Sequence, residues 1–283
     1  MMLKTVASFA LGRGISLNIA RGSVLDFAAP ASGVGAIVNA ANEGCLGGGG
    51  VDGAISDAGG SNLMRDREAL PQLQGMRDVR CETGRAVITG PGDYGKLYVP
   101  YVVHAVGPAY FRYQGMIMEG REDDPFALPD TLLFSAYQES LQRCQENGIT
   151  DVGFSLLSAG IFRGEQSMPK VLAIGIMAIR DWVSKTADVG KLKSVTLCGF
   201  SEKEAILLQN VGRTILGEGA LEISTKERDA GNGRKKEESP KQSCVGEYRD
   251  RDHVQRQDWY SGREQQQEIR KAKRSSRNTN GNH

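Results

Sequence analysis

The stretch 39–52 gathers two asparagines, four consecutive glycines and one aspartate: Asn39, Asn42, Gly47, Gly48, Gly49, Gly50 and Asp52. An apolar β-type run ends in the asparagines, and an apolar-periodic helix begins around the aspartate. Glycines in series lose the most backbone entropy on ordering and bury no side chain, so they do not belong to a core element. They suit a place where a ligand meets the main chain. Without Cβ atoms, successive N–H groups from Gly47 to Val51 can turn toward an anion, and the N-terminus of the following helix adds partial positive charge. Asn39 and Asn42 add neutral amide donors and acceptors suited to sugar hydroxyls. A second loop of small residues, Ser158-Ala159-Gly160-Ile161-Phe162, again lets amides face a ligand, and Phe162 offers an aromatic edge or face. Two such loops converging on one crevice would grip a diphosphate without lysine or arginine. No Gly-Lys-Ser/Thr follows the glycines, which excludes a Walker loop, and their spacing does not fit a dinucleotide-binding fingerprint.

Strands and helices must deliver these loops. Ile15–Ala20 alternates as a strand, Ala36–Asn39 is a buried strand, and Val51–Arg67 reads as a helix interrupted at Gly59-Gly60. Strands follow at 85–89 and 98–106. Asp130-Thr131 is expected to cap a helix running to about Asn147, with Gly148 as its stop. A strand at 152–157, a helix at 168–184, a strand at 194–200 and a helix at 202–216 complete the pattern. Strands alternating with helices predict an α/β sandwich with a largely parallel sheet, and in such sheets ligands bind at the carboxyl ends of strands. The segment 107–130 has little periodicity, an acidic knot at 119–124 and prolines at 125 and 129, so it reads as a long loop covering the distal end of the site.

The chain has 283 residues and a formal charge of +1, which implies no global preference for nucleic acid. Five scattered cysteines form no Cys-x-x-Cys pair and fit reduced thiols inside a cell, and three histidines are too few for a His-rich zinc site, so no metal and no cofactor are expected. No apolar run is long enough to span a bilayer. The basic, acid-free first 25 residues faintly resemble an organelle presequence, but the strand at Ile15 begins within them, so cytoplasm or nucleus is favoured over mitochondrial import. The globular domain is placed at 1–224. Residues 225–283 are charged and nearly devoid of aliphatics, as a disordered tail would be, with basic residues at 270–274 and Arg277 that allow a weak polyanion contact. A monomer is expected.

Asn39-Ala-Ala-Asn42 followed by Leu46-Gly-Gly-Gly-Gly-Val-Asp-Gly-Ala-Ile55 resembles the signature of macrodomains of the MacroD type, which are ADP-ribosyl hydrolases and O-acetyl-ADP-ribose deacetylases. Cys81-Glu-Thr-Gly-Arg-Ala-Val-Ile-Thr89, Tyr101-Val-Val-His-Ala-Val-Gly-Pro108 and Ser158–Phe162 follow in the family's order. The resemblance covers about residues 15–220. It implies a three-layer α/β/α sandwich around a mixed six-stranded sheet, with ADP-ribose as ligand. It makes Asn42 a partner of the distal ribose, Gly47–Val51 the diphosphate loop and Ser158–Ile161 the second phosphate loop, with Phe162 beside the distal ribose. Asp52 becomes the residue implied in hydrolysis, and a carboxylate beside a bound diphosphate can orient a water for attack at the anomeric carbon. Gly22-Ser23-Val24 stands where the family carries Gly-Asp-Ile, so Ser23 replaces the acid that meets adenine, with Asp26 a nearby substitute. Arg85 stands where a histidine is common, and Arg163–Ser167 replaces a Gly-Tyr-Pro rim. His104 reads as a packed strand residue rather than a base.

The resulting expectation is a hydrolase that removes mono-ADP-ribose from acidic side chains of proteins or deacylates O-acyl-ADP-ribose. A non-catalytic ADP-ribose reader is the alternative, and phosphatase action on ADP-ribose 1″-phosphate is chemically adjacent.

Overall fold

The computed structural model describes residues 3–116 and 121–217. The predicted tail from 225 onward, with its basic cluster, lies outside the described residues, as do Glu119 and Gly120 of the acidic knot.

The strands are β1 (Lys4–Gly12), β2 (Ile15–Arg21), β3 (Gly35–Ala40), β4 (Ala86–Thr89), β5 (Tyr101–Ala105), β6 (Asp151–Phe154) and β7 (Ser194–Gly199). The helices are α1 (Gly50–Ala69), α2 (Ala127–Glu146), α3 (Met168–Lys185) and α4 (Glu202–Leu216). One sheet runs in the order β1-β2-β7-β6-β3-β5-β4. Its five central strands are parallel, and β1 and β4 close the two edges antiparallel. Among the described residues the sheet therefore has seven strands rather than the six expected. β1 is not legible in the sequence because its inward alternation rests on little more than Ala7 and Phe9. It joins β2 through Arg13-Gly14, both at positive φ as a two-residue hairpin requires.

Period-2 alternation sorts side chains onto the two faces. Leu17, Val38, Val103 and Leu197 pack in one core with residues of α2, α3 and α4, while Ile37 and Val102 pack in another with Ile55 and Leu63 of α1. The result is the three-layer α/β/α sandwich. Asn39 and His104 are register partners on β3 and β5 and share the α1 face.

Two local expectations change. α2 starts at Ala127, before Asp130, because Asp124 Oδ1 accepts from the Phe126 N–H at 3.0 Å and Pro129 sits in the first turn, where no N–H is needed. Asp130 accepts instead from Tyr110 Oη (2.7 Å) and Gln166 Nε2 (3.0 Å), tying the segment after β5 to the loop before α3. The region 107–116 holds a short 3-10 turn at Tyr110–Arg112 rather than unstructured chain. The Gly59-Gly60 interruption of α1 is a kink, with Gly60 at φ 62° and ψ −156°.

α2 and α3 approach closely at Gly175, where a Cβ would stand 2.7 Å from Tyr137 Cζ. Tyr137 cannot retreat, since it stacks on Phe154 (5.4 Å) and its Oη accepts from the Leu157 N–H at 3.2 Å. Gly175→Val is expected to lower unfolding free energy by about 1–3 kcal/mol in urea titrations through overpacking.

Candidate active site

Because the central strands are parallel, their carboxyl ends share one edge of the sheet. Strand order sets the order of the loops along that edge. Gly22–Val24 follows β2, Phe200 follows β7, the 158–162 loop comes after β6, and Asn42–Gly49 comes after β3.

At the β2 end, Ser23 caps a 3-10 turn, its Oγ accepting from the Leu25 N–H at 3.2 Å, and Val24 is buried in the core, so Val24 offers the crevice only main chain. Beside it, Phe200 is 78% exposed at a strand end. In sequence an aromatic closing an apolar strand reads as core; the pairing of the Gly22 N–H with the Gly199 carbonyl places Phe200 beside Ser23. On the second loop, Ser158 turns its hydroxyl inward to donate to the Pro108 carbonyl at 2.8 Å. The main chain of 158–160 and the half-buried Ile161 and Phe162 remain at the edge. Phe162 packs edge-to-face with Phe111, their centroids 6.4 Å apart.

The glycine loop is shaped by Asn42. Its Nδ2 donates to the Gly47 carbonyl at 2.9 Å, and its Oδ1 accepts from the Gly44 N–H at 3.1 Å. Gly47 has φ +110°, which side-chain-bearing residues rarely adopt, and Gly48 to Gly50 are exposed. Gly48 is needed for space: a Cβ there would lie 3.0 Å from Asp52 Oδ2 and 3.1 Å from Asn42 Nδ2. Behind the loop the buried Cys45 Sγ donates to the Asn42 carbonyl at 3.5 Å and Cys81 Sγ to the Glu82 carbonyl at 3.7 Å, and the neighbouring Cys81 thiol, with the Arg67 charge, holds Cys45 below its ordinary value against the opposing effect of burial.

Asp52 stands in the first turn of α1 but does not cap it; Gly49 is the N-cap, without a side-chain bond. The carboxylate is buried. Oδ1 accepts from Asn39 Nδ2 at 2.7 Å and from the fully buried Arg67 Nη2 at 2.7 Å. Oδ2 is buried with no hydrogen-bond partner among the described residues. Asn39 Nδ2 also lies 3.2 Å from His104 Nδ1, and His104 Nε2 lies 3.1 Å from Thr89 Oγ1. An amide NH2 can only donate, so Nδ1 is the acceptor and Nε2 carries the proton. Burial, and then the Arg67 charge, push the imidazole well below 6.5, so it is a neutral, packed strut. Among the described residues no group of three or more His, Cys, Asp or Glu is placed to hold a metal ion, and no helix is long and apolar enough to cross a membrane.

A parallel-stranded α/β/α sandwich with glycine-rich loops at the carboxyl edge defines a class of ligand-binding modules, and comparison with known proteins identifies which. The sequence matches the Macro domain family over residues 38–169. It is 38% identical over 172 residues to the macro domain-containing protein in the gbd 3′ region of Cupriavidus necator, covering 60% of this chain and 84% of that protein. It is also 38% identical over 142 residues to O-acetyl-ADP-ribose deacetylase 1 of Pantoea vagans, covering 50% of this chain and 72% of that protein. Among solved structures, the Oceanobacillus iheyensis macrodomain with ADP superposes with a TM-score of 0.55 at 25% identity, over 74% of this chain and 95% of that one. The Trypanosoma brucei macrodomain in complex with ADP-ribose gives 0.52 at 26% identity, over 74% and 73%. The chain belongs to the macro domain family.

The His104 environment sets a pH dependence of stability. The folded pKa is depressed, so below about 6.5 the unfolded chain binds a proton that the native state does not, and stability falls as pH falls. Relative to His104→Gln, the parent is expected to lose about 1 kcal/mol more between pH 6.5 and 5.5 in urea unfolding.

Proposed function

We propose that this protein binds ADP-ribose along the carboxyl edge of its sheet and hydrolyses its ester linkages, releasing mono-ADP-ribose from acidic side chains of proteins or the acyl group from O-acyl-ADP-ribose. The observation that carries the reading is Asp52 Oδ2: a buried carboxylate oxygen with no donor, against the glycine loop. An unsatisfied buried acceptor is costly unless something binds to it. A water held there completes the site. In the protein-linked case the water oxygen bonds to the anomeric carbon and the bond to the side-chain carboxylate oxygen breaks. The water proton passes to Asp52 Oδ2 or to a diphosphate oxygen.

The amides of Gly47 to Val51 and of the Ser158–Ile161 loop would hold the diphosphate, with Asn42 and Phe162 toward the distal ribose. The base would lie between Ser23 and Phe200. The relative named O-acetyl-ADP-ribose deacetylase and the neighbour solved with ADP-ribose support the ligand and the ester chemistry.

The test must respect the ion pair. Asp52→Ala would leave Arg67 buried and unpaired, at a cost of about 3–5 kcal/mol. Asp52→Asn instead keeps an Oδ1 acceptor for Arg67 and Asn39 while removing the charge. ADP-ribose release from a glutamate- or aspartate-modified protein is expected to fall by about 10²- to 10⁴-fold in this variant, with calorimetric affinity for ADP-ribose retained. Binding without release by the parent, on the acyl ester as well, would make the protein a reader. Separately, Phe200→Ala is expected to weaken ADP-ribose binding by about 1–3 kcal/mol in calorimetry through lost base stacking, leaving turnover at saturation unchanged.

A further inference from the structure

We propose that Arg67 is the positioning residue of this site: its buried guanidinium grips Asp52 Oδ1 and leaves Oδ2 as the carboxylate atom free to take a water beside Gly48 and Asn42. The inference rests on the hydrolase reading above and adds the group that makes it work.

Asp52 and Arg67 belong to the same helical segment, fifteen residues apart. In a straight helix that separation spans about 22 Å, well beyond the combined reach of the two side chains. They meet at 2.7 Å because α1 breaks at Gly60, where φ is 62°, and its second half folds back. Gly59 permits the close return, since a Cβ there would stand 2.4 Å from Leu63 Cδ2. The diglycine break thus delivers Arg67 to Asp52.

Each nitrogen of the guanidinium has a partner. Nε donates to the Cys45 carbonyl, Nη1 to Ser56 Oγ at 2.8 Å and Nη2 to Asp52 Oδ1 at 2.7 Å. Ser56 Oγ in turn donates to the Asp52 carbonyl at 2.8 Å. A planar fork held at three points fixes the plane and direction of its partner in a way a lysine point charge cannot. Asn39 Nδ2 takes the other side of Oδ1, and His104 fixes Asn39. Both acceptor directions of Oδ1 are occupied, so a water meets only Oδ2. The same guanidinium anchors Cys45, which leads into the glycine loop.

The test uses the full chain and its Arg67→Lys and Arg67→Ala variants. It combines single-turnover release from a protein carrying ADP-ribose on glutamate, calorimetry with ADP-ribose, and thermal unfolding. A misplaced Oδ2 is expected to lower the rate in Arg67→Lys by about 10²-fold while the ADP-ribose Kd stays within about twofold of the parent. In Arg67→Ala, millimolar guanidinium is expected to restore part of the lost rate, which a purely structural role would not produce. If Arg67→Ala does not fold, the split between rate and Kd in Arg67→Lys decides. Parent-level turnover in folded Arg67→Lys, or rate and affinity lost together without rescue, would overturn the positioning role and leave the hydrolase reading standing. A parent that binds ADP-ribose and releases none would overturn both.

Discussion

Arg67 enters the interior with no exposed side-chain surface and finds a carboxylate, a hydroxyl and a main-chain carbonyl, one for each edge of its guanidinium. A buried charge of this kind is tolerated only when its hydrogen bonds are met, and removing a partner is expensive. The pair with Asp52 therefore constrains much around it. It demands a helix that doubles back at Gly60, a serine at 56 within reach, and a loop whose Cys45 carbonyl turns inward. Asn39, although on a central strand, is polar and donates to Asp52, and His104 beside it is kept neutral by burial first and the Arg67 charge second.

The sheet supplies the rest by topology. Five parallel strands place their carboxyl ends on one edge, so loops distant in sequence become neighbours in the order β2, β7, β6, β3. Parallel strands need crossovers, and the helices that cross bury both faces. Asn39 and His104 accordingly sit in the layer between sheet and α1, sealed from solvent, while the loops stay open above them. The acidic and aromatic anchors at Asp130, Tyr110 and Gln166 tie the second loop to α2 by the same logic of satisfied buried polar groups.

The site separates its charges. The crevice loops present amides and glycine Cα atoms, and the buried cation is spent on Asp52 rather than offered to a ligand. A diphosphate gripped by amides and helix dipole would then be held without a lysine or arginine competing for the carboxylate. Of the non-glycine residues at positive φ among the described residues, Ser158 (52°) and Cys45 (54°) lie on the two loops, while Arg13 belongs to the β1–β2 hairpin.

The sequence by itself determined the alternation of strands and helices, the break at Gly59-Gly60, and the presence of asparagines, glycines and an aspartate at a strand-to-helix passage, because periodicity and glycine runs are local signals. β1 is not legible because it shows few inward-facing apolar residues, and the start of α2 is not legible because Asp130, a residue of its first turn, imitates a cap while Asp124 and Pro129 begin the helix earlier. Only the tertiary structure decided that Phe200 stands beside Ser23, that the Ser158 hydroxyl turns inward, and that Asp52 shares a buried guanidinium with Cys45 and Ser56. These depend on parallel strand order and on a helix folding back on itself, long-range facts with no period in the chain. In sequence Arg67 is only the last residue of a helix; the packing around it makes it the buried partner of Asp52.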